Sequence, residues 1–372
     1  MRFSITSLAV AAGLLLAACG GTAAPAATSS AAPASAAPSA AGAGTSASAK
    51  PAASAAASAA AKPSAAGQAQ SGPVRLISGG SIDFSNGDIT YWSQLLTQRG
   101  VANDLKWIDD PSAALRAVVA GAGDAYIGSL PSAIIAVKNT NADLKVIAIN
   151  NQASDYVLVA KPDLTSVDQL KGKTIGIASP GSAGDTITRI ALKMKGFDPA
   201  QVNFVSIGGT NARVTALLAG KIDAAPAHAA EAAVAEDTGK VKTLLTTGDA
   251  LGDYLQSGLI ASGAWLKANP QTAQKVVDAF IDASRWAGSN RAEYIEASKK
   301  TVPKMTDEQR AKAYDAYQQI KLFPTDGGLS PDKVSHFLDL AQQTGDLPKD
   351  IPPQSAWLDT SFVKAYADSH KS

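Results

Sequence analysis

Cysteine is almost absent: of 372 residues, Cys19 alone carries a thiol. It follows Leu16-Ala17-Ala18, behind a short apolar run that opens with Arg2. The stretch from Ile5 to Ala18 is too short to span a bilayer comfortably, and its basic start and small-residue exit mark a cleavable segment. This is the layout of a bacterial lipoprotein signal over residues 1–18, with Cys19 as the lipidation site. A chance cysteine behind an ordinary signal peptide is the alternative. Lipidation implies an extracytoplasmic protein whose acyl chains hold it at a membrane surface. It also leaves the mature chain without a thiol for a disulfide, a thiolate metal site or a cysteine nucleophile.

Apolar side chains are missing from a whole segment. Gly20 to Pro73 has no Val, Ile, Leu, Met or aromatic residue, and only Lys50 and Lys62 are charged. Such a composition cannot build a core. Its alanines favour local helix between Ala52 and Ala61, but Pro25, Pro33, Pro38, Pro51 and Pro63 argue for a flexible tether over residues 19–73. Its typical reach is roughly 40 Å. An excess of one charge is lacking too. The 33 Lys and Arg nearly balance 32 Asp and Glu, and no basic run or basic-aromatic interleaving offers a footprint for nucleic acid. The three histidines, His228, His336 and His370, come without a His-x-x-x-His, Gly-x-Ser-x-Gly or phosphate-loop pattern. No metal, cofactor or catalytic residue is therefore expected.

What remains, Val74 to Ser372, is long enough for two lobes. Short β-rich runs alternate with amphipathic helical segments, the signature of an α/β fold with largely parallel sheets. Strands are expected at Val74 to Ile77, Leu105 to Ile108, Ala125 to Ile127, Lys145 to Ile149 and Tyr156 to Ala160. Helices start near Asp88, Pro111 and Pro131. The grammar then repeats, with strands at Thr174 to Ile177, Val202 to Ile207, Ile222 to Ala225 and Val241 to Thr246, and helices from Asp185 and Ala212. Ser257 to Ala261 reads as a return crossing. Lobe 1 is expected over residues 74–160 and 258–372, and lobe 2 over 161–257.

One internal similarity supports related lobes. Ala117-Val118-Val119-Ala120-Gly121 then Asp124-Ala125 matches Ala216-Leu217-Leu218-Ala219-Gly220 then Asp223-Ala224. Both read as helix, glycine stop, aspartate, strand, a connection common enough to arise without duplication.

The chain resembles the periplasmic solute-binding proteins of ABC importers, in the branch that handles nitrate, sulfonates, taurine and thiamine precursors. The resemblance is carried by Ala117 to Gly128, by the run Asp155 to Asp163, by Leu170 to Ile177 with Ser179-Pro180-Gly181-Ser182, and by Gly208-Gly209, Ala212-Arg213 and Leu217 to Asp223. It implies a type II-like periplasmic-binding-protein fold, two lobes joined by two crossing strands, with hinge closure on a small-molecule solute. It also implies an ABC permease and ATPase as partners, and a monomeric receptor.

Ligands of open α/β sheets bind beyond the carboxyl ends of strands, where loops lead into helices. Those loops are polar and glycine-rich here: Ser78-Gly79-Gly80-Ser81, Gly128-Ser129, Ser179-Pro180-Gly181-Ser182 and Gly208-Gly209-Thr210-Asn211. Each can offer N–H groups and hydroxyls to an oxyanion, or merely serve turns and caps. The candidate ligand-binding residues are Ser81, Asp83, Gly128, Ser129, Asn151, Gly181, Ser182, Gly209, Thr210, Arg213 and His228. Asp83 either binds a donor on the solute or stabilises a turn. Arg213 either reaches an anion or joins a solvated or interlobe ion pair, and His228 either donates to a solute or starts a helix. Trp92 has the spacing of a core residue.

The first loop departs from the family's frequent apolar run, continuing Ile82-Asp83-Phe84-Ser85-Asn86-Gly87-Asp88. A sulfonate, a carboxylate, nitrate and a neutral heterocycle all stay open as solutes. A ligand sensor docking on a membrane receptor, or an enzyme on the same two-lobed fold, are the rival classes. The helices after Pro270 are expected to buttress the first lobe.

Overall fold

In a computed structural model of the chain, residues 72–251 and 254–371 are described. The signal segment, Cys19 and nearly all of the tether lie outside them. The strands are β1 (Val74–Gly79), β2 (Asn103–Ile108), β3 (Ala125–Ser129), β4 (Leu144–Asn151), β5 (Tyr156–Ala160), β6 (Thr174–Ile177), β7 (Asn203–Ser206), β8 (Ala224–His228), β9 (Lys242–Thr246) and β10 (Ser257–Ser262). The helices of the connections include α1 (Gly87–Gln98), α2 (Pro111–Val119), α3 (Leu130–Thr140), α4 (Ala183–Met194), α5 (Thr210–Leu218) and α6 (Ala229–Glu236).

The strands form two five-stranded sheets, ordered β2-β1-β3-β10-β4 and β7-β6-β8-β5-β9. In the first, β1 is parallel to β2 and β3, while β10 runs antiparallel between β3 and β4. The second repeats this plan: β6 is parallel to β7 and β8, and β5 runs antiparallel between β8 and β9. The antiparallel strand of each sheet is the one that arrives from the other. Tyr156–Ala160 therefore belongs to the second sheet, not to the first lobe where the sequence reading placed it. Its five buried residues fit an interior strand covered on both faces.

The two crossing segments are bonded to each other. Ser154 Oγ lies 2.7 Å from Thr247 Oγ1, which donates to the Tyr156 carbonyl at 2.5 Å, and the Gln256 amide donates to the Asn151 carbonyl at 3.0 Å.

The repeated helix-glycine-aspartate element does the same work twice. Asp124 accepts from the Arg75 amide at 2.8 Å and returns its own amide to the Arg75 carbonyl at 2.8 Å. Asp223 accepts from the Thr174 amide at 2.9 Å and donates to the Thr174 carbonyl at 2.9 Å. Each aspartate thus registers two parallel strands against each other, β1 with β3 and β6 with β8. A basic partner, Arg75 at 2.6 Å or Lys161 at 2.7 Å, completes each clamp.

β8 lies further along the chain than the pattern predicts and runs through Pro226. A proline cannot donate to a ladder, and the described pairing of β8 with β6 stops at Ala224, before it. Helices cover the sheets. Trp92 is fully buried, donates to the Val276 carbonyl at 3.0 Å and stands edge-on to Phe280, so it is a core residue. The helix Pro270–Ser289 packs on α1 and β4, but the helix Asp307–Gln319 packs on α6. The C-terminal helices therefore support both sheets, not the first alone. Among the described residues no helix is long and apolar enough to cross a membrane.

Candidate functional site

The carboxyl ends of the parallel strands of both sheets converge on one cavity of about 70 Å³. The first sheet contributes the loop after β1 (Gly79, Gly80, Ser81, Asp83, Asn86), the end of β3 (Tyr126, Gly128, Ser129), Asn151, and Gln256 and Ser257 at the start of β10. The second contributes Tyr156, the entry to α4 (Ala178, Ser182, Ala183, Gly184), the entry to α5 (Gly209, Thr210, Arg213), and His228.

All the candidate residues except Gly181 meet on this wall. Gly181 sits one step outside, where its left-handed backbone (φ 75°) turns the chain into α4 and its carbonyl accepts from Ser132 Oγ. Tyr126, Tyr156, Gln256 and Ser257 also line the cavity but were not among the sequence candidates. The two tyrosines carry no signal distinguishing them from core aromatics, and Gln256 falls in a connection with no periodicity.

The walls touch. Ser112 Oγ, at the start of α2, lies 3.0 Å from Ser179 Oγ and donates to the Pro180 carbonyl at 3.2 Å. At Gly209 a Cβ would come within 2.6 Å of Ser81 Oγ, so only glycine lets these loops approach. The conformation is a closed one.

A buried charge cluster is built into the wall. His228 Nε2 is 3.2 Å from Asp83 Oδ2, and Nδ1 is 2.9 Å from Asp155 Oδ1. The Tyr156 ring lies over the imidazole at 4.3 Å between centroids. Burial opposes the imidazolium, but the carboxylates of Asp155 and Asp83 outweigh it and hold His228 well above the ordinary 6.5. Asp83 also accepts from the Ser85 amide at 3.1 Å and from Asn86 Nδ2 at 2.8 Å, so it stabilises the turn as well as meeting the histidine. Burial pushes its carboxyl upward. Beside it, Glu231 of α6 accepts from the Phe84 amide at 3.0 Å, and burial with the Asp83 charge raises it to about 8.

Arg213 is buried, which presses its pKa downward, and it donates to the Pro226 carbonyl at 2.9 Å, the Gly208 carbonyl at 2.6 Å and Thr210 Oγ1 at 3.0 Å. It takes part in none of the described salt bridges. Neither reading of Arg213 as a solvated or an interlobe ion pair applies. Ser129 caps α3, accepting from the Ser132 amide at 3.3 Å, whereas the N-caps of α4 and α5 have no side-chain cap bond. Among the described residues no group of three or more His, Cys, Asp or Glu is arranged to hold a metal ion.

A profile of NMT1/THI5-like proteins matches residues 96–293, just over half the chain. The chain belongs to the NMT1/THI5-like family. A candidate binding protein of Brucella abortus is 25% identical over 291 residues, covering 73% of this chain and 89% of that protein. Two solved structures share the fold. The alkanesulfonate-binding protein SsuA of Xanthomonas axonopodis pv. citri, bound to MOPS, has a TM-score of 0.63 at 20% identity, over 78% of this chain and 100% of that one. The periplasmic nitrate-binding protein NrtA of Synechocystis PCC 6803 has a TM-score of 0.65 at 13% identity, over 82% and 90%. The fold of this NMT1/THI5-like chain is that of periplasmic binding proteins.

Proposed function

We propose that this NMT1/THI5-like protein is a lipid-anchored, extracytoplasmic receptor that captures a small polar solute and presents it, in the closed form, to the permease and ATPase of an ABC importer. The observation that carries the reading is the cavity itself. Its wall is supplied by loops of both sheets and carries hydroxyl, amide and charged side chains from each, so a solute there favours closure through contacts to both. The sulfonate- and nitrate-binding proteins of the same fold support a solute with anionic oxygens, which uncapped helix N-termini suit. The cavity is about half the roughly 150 Å³ that admits benzene, which favours a compact anion over a substituted ring.

An enzymatic role has less support. His228, the histidine of the site, has both ring nitrogens engaged by carboxylates, and the hydroxyl beside it, Ser85 Oγ at 3.5 Å from Nδ1, donates instead to Asp83 Oδ1 at 2.7 Å.

Calorimetry and thermal shift on the purified chain, against nitrate, alkanesulfonates, small carboxylates and amino acids, test the reading. A solute at 100 times its Kd should add about 2.7 kcal/mol of stability and be recovered unchanged. Turnover of the bound compound, or no binding across the panel, overturns it.

A further inference from the structure

The cavity has two chemically opposite ends. On the second-sheet side, α4 and α5, of 12 and 9 residues, begin at the wall with no side chain capping either N-terminus. The positive dipole end of α5 is joined there by Arg213, whose described hydrogen bonds all go to uncharged acceptors, while α4 carries in its first turn Asp185, a carboxylate already held by Arg189 at 2.6 Å and by the Gly181 amide at 2.9 Å. That end suits an anionic group.

The first-sheet side is different. Asn151 and Gln256 are each 3% exposed and line the same cavity, yet Asn151 Oδ1 and Gln256 Oε1 have no hydrogen-bond donor. They are held side by side, because the Gln256 amide donates to the Asn151 carbonyl at 3.0 Å and Ser257 pairs with Asn151 in the β4–β10 ladder. A buried acceptor left unsatisfied is a standing penalty that folding normally avoids. Nitrate or an alkanesulfonate cannot relieve it, since both are acceptors only. A solute with N–H donors relieves it.

Resting on the receptor reading above, we infer that the solute is a compact amino-acid-like zwitterion, with its acid group at the α4 and α5 N-termini and its ammonium group at the Asn151 and Gln256 amide oxygens. The cavity, about 70 Å³ against the roughly 150 Å³ of one that admits benzene, favours a compact molecule.

Two matched pairs of probes test this on the full chain by calorimetry at pH 7: glycine against acetate, and aminomethanesulfonate against methanesulfonate. The amino member of at least one pair is expected to bind at least tenfold tighter than its partner. Gln256→Met and Asn151→Leu should narrow that ratio to a few-fold, while Gln256→Glu, which keeps an acceptor, should preserve it; melting curves of the three variants confirm folding. Equal or tighter binding of acetate or methanesulfonate overturns the zwitterion and leaves the receptor standing. So does binding of another member of the wider panel when neither pair binds. No binding by any compound overturns both.

Discussion

His228 Nε2, at the end of a strand in the second sheet, lies 3.2 Å from Asp83 Oδ2, in a loop of the first. This buried contact joins the two sides of the cavity without passing through the hinge, and it sets a bias toward closure that does not need a solute. Removing one partner of a buried ion pair typically costs about 3–5 kcal/mol, because the other charge stays buried. Asp83→Asn should therefore lower the melting temperature and enlarge the radius of gyration of the solute-free protein. Identical small-angle scattering from variant and parent would show that the pair does not hold the sides together.

Gly209→Ala tests closure from the opposite direction. The added methyl would come within 2.6 Å of Ser81 Oγ in the closed form and would meet solvent once the sides part. Overpacking of this kind costs roughly 1–3 kcal/mol, or about a fivefold to 150-fold loss of solute affinity. Melting temperature without solute should fall as well, because parting the sides also separates His228 from Asp83. Unaltered affinity would mean the loops do not meet in the bound state.

Acidity should favour the folded, closed protein. Burial, with the Asp83 charge, raises Glu231 from 4.5 to about 8, and burial raises Asp88 from 3.8 to about 7. Between those values the native protein holds protons that the unfolded chain has released. Their stabilising contribution is full below the unfolded values and is lost as pH rises through the folded ones, at up to roughly 1.4 kcal/mol per group per pH unit. The raised value of His228 acts in the same direction. Melting at pH 5 should exceed that at pH 8.5 by about 5 °C or more, and Glu231→Gln should flatten the slope. A melting temperature that climbs with pH over this range would contradict the cluster's assigned protonation.

The proposed membrane attachment rests on Cys19. Cys19→Ala should move the protein from the membrane fraction to the soluble one and remove the mass of the acyl chains, leaving solute binding intact. A variant that still sediments with membranes would require another anchor.

Much of this architecture was legible because it depends on local patterns. Alternating β-rich and amphipathic runs locate the strands of both sheets, and polar glycine loops after β1, β3, β6 and β7 mark where the walls meet. Pairing between distant segments was not legible. Asp155 and Glu231 reach His228 and the Phe84 amide only through the packing of the fold, and neither stands in a motif that announces it. Gln256 is a polar residue in an irregular connection until the ladder sets it beside Asn151. Pro226 misplaced β8 because the side that lacks a donor cannot be read from the chain. The sequence reading of Asp83 as either a turn residue or a ligand missed its ion pair with the histidine.

The strand exchange has a bearing on the order in which the protein is made. β5 to β9 are contiguous in the chain, so everything the second sheet needs has left the ribosome or the export channel once Thr246 emerges. The first sheet is begun earlier and finished later. β3 and β4 are neighbours only through β10, and its residues Ser257–Ser262 are synthesised after the whole of the other sheet. An incomplete chain ending anywhere before them carries two open strand edges in the half translated first, a liability for aggregation that the final segments remove.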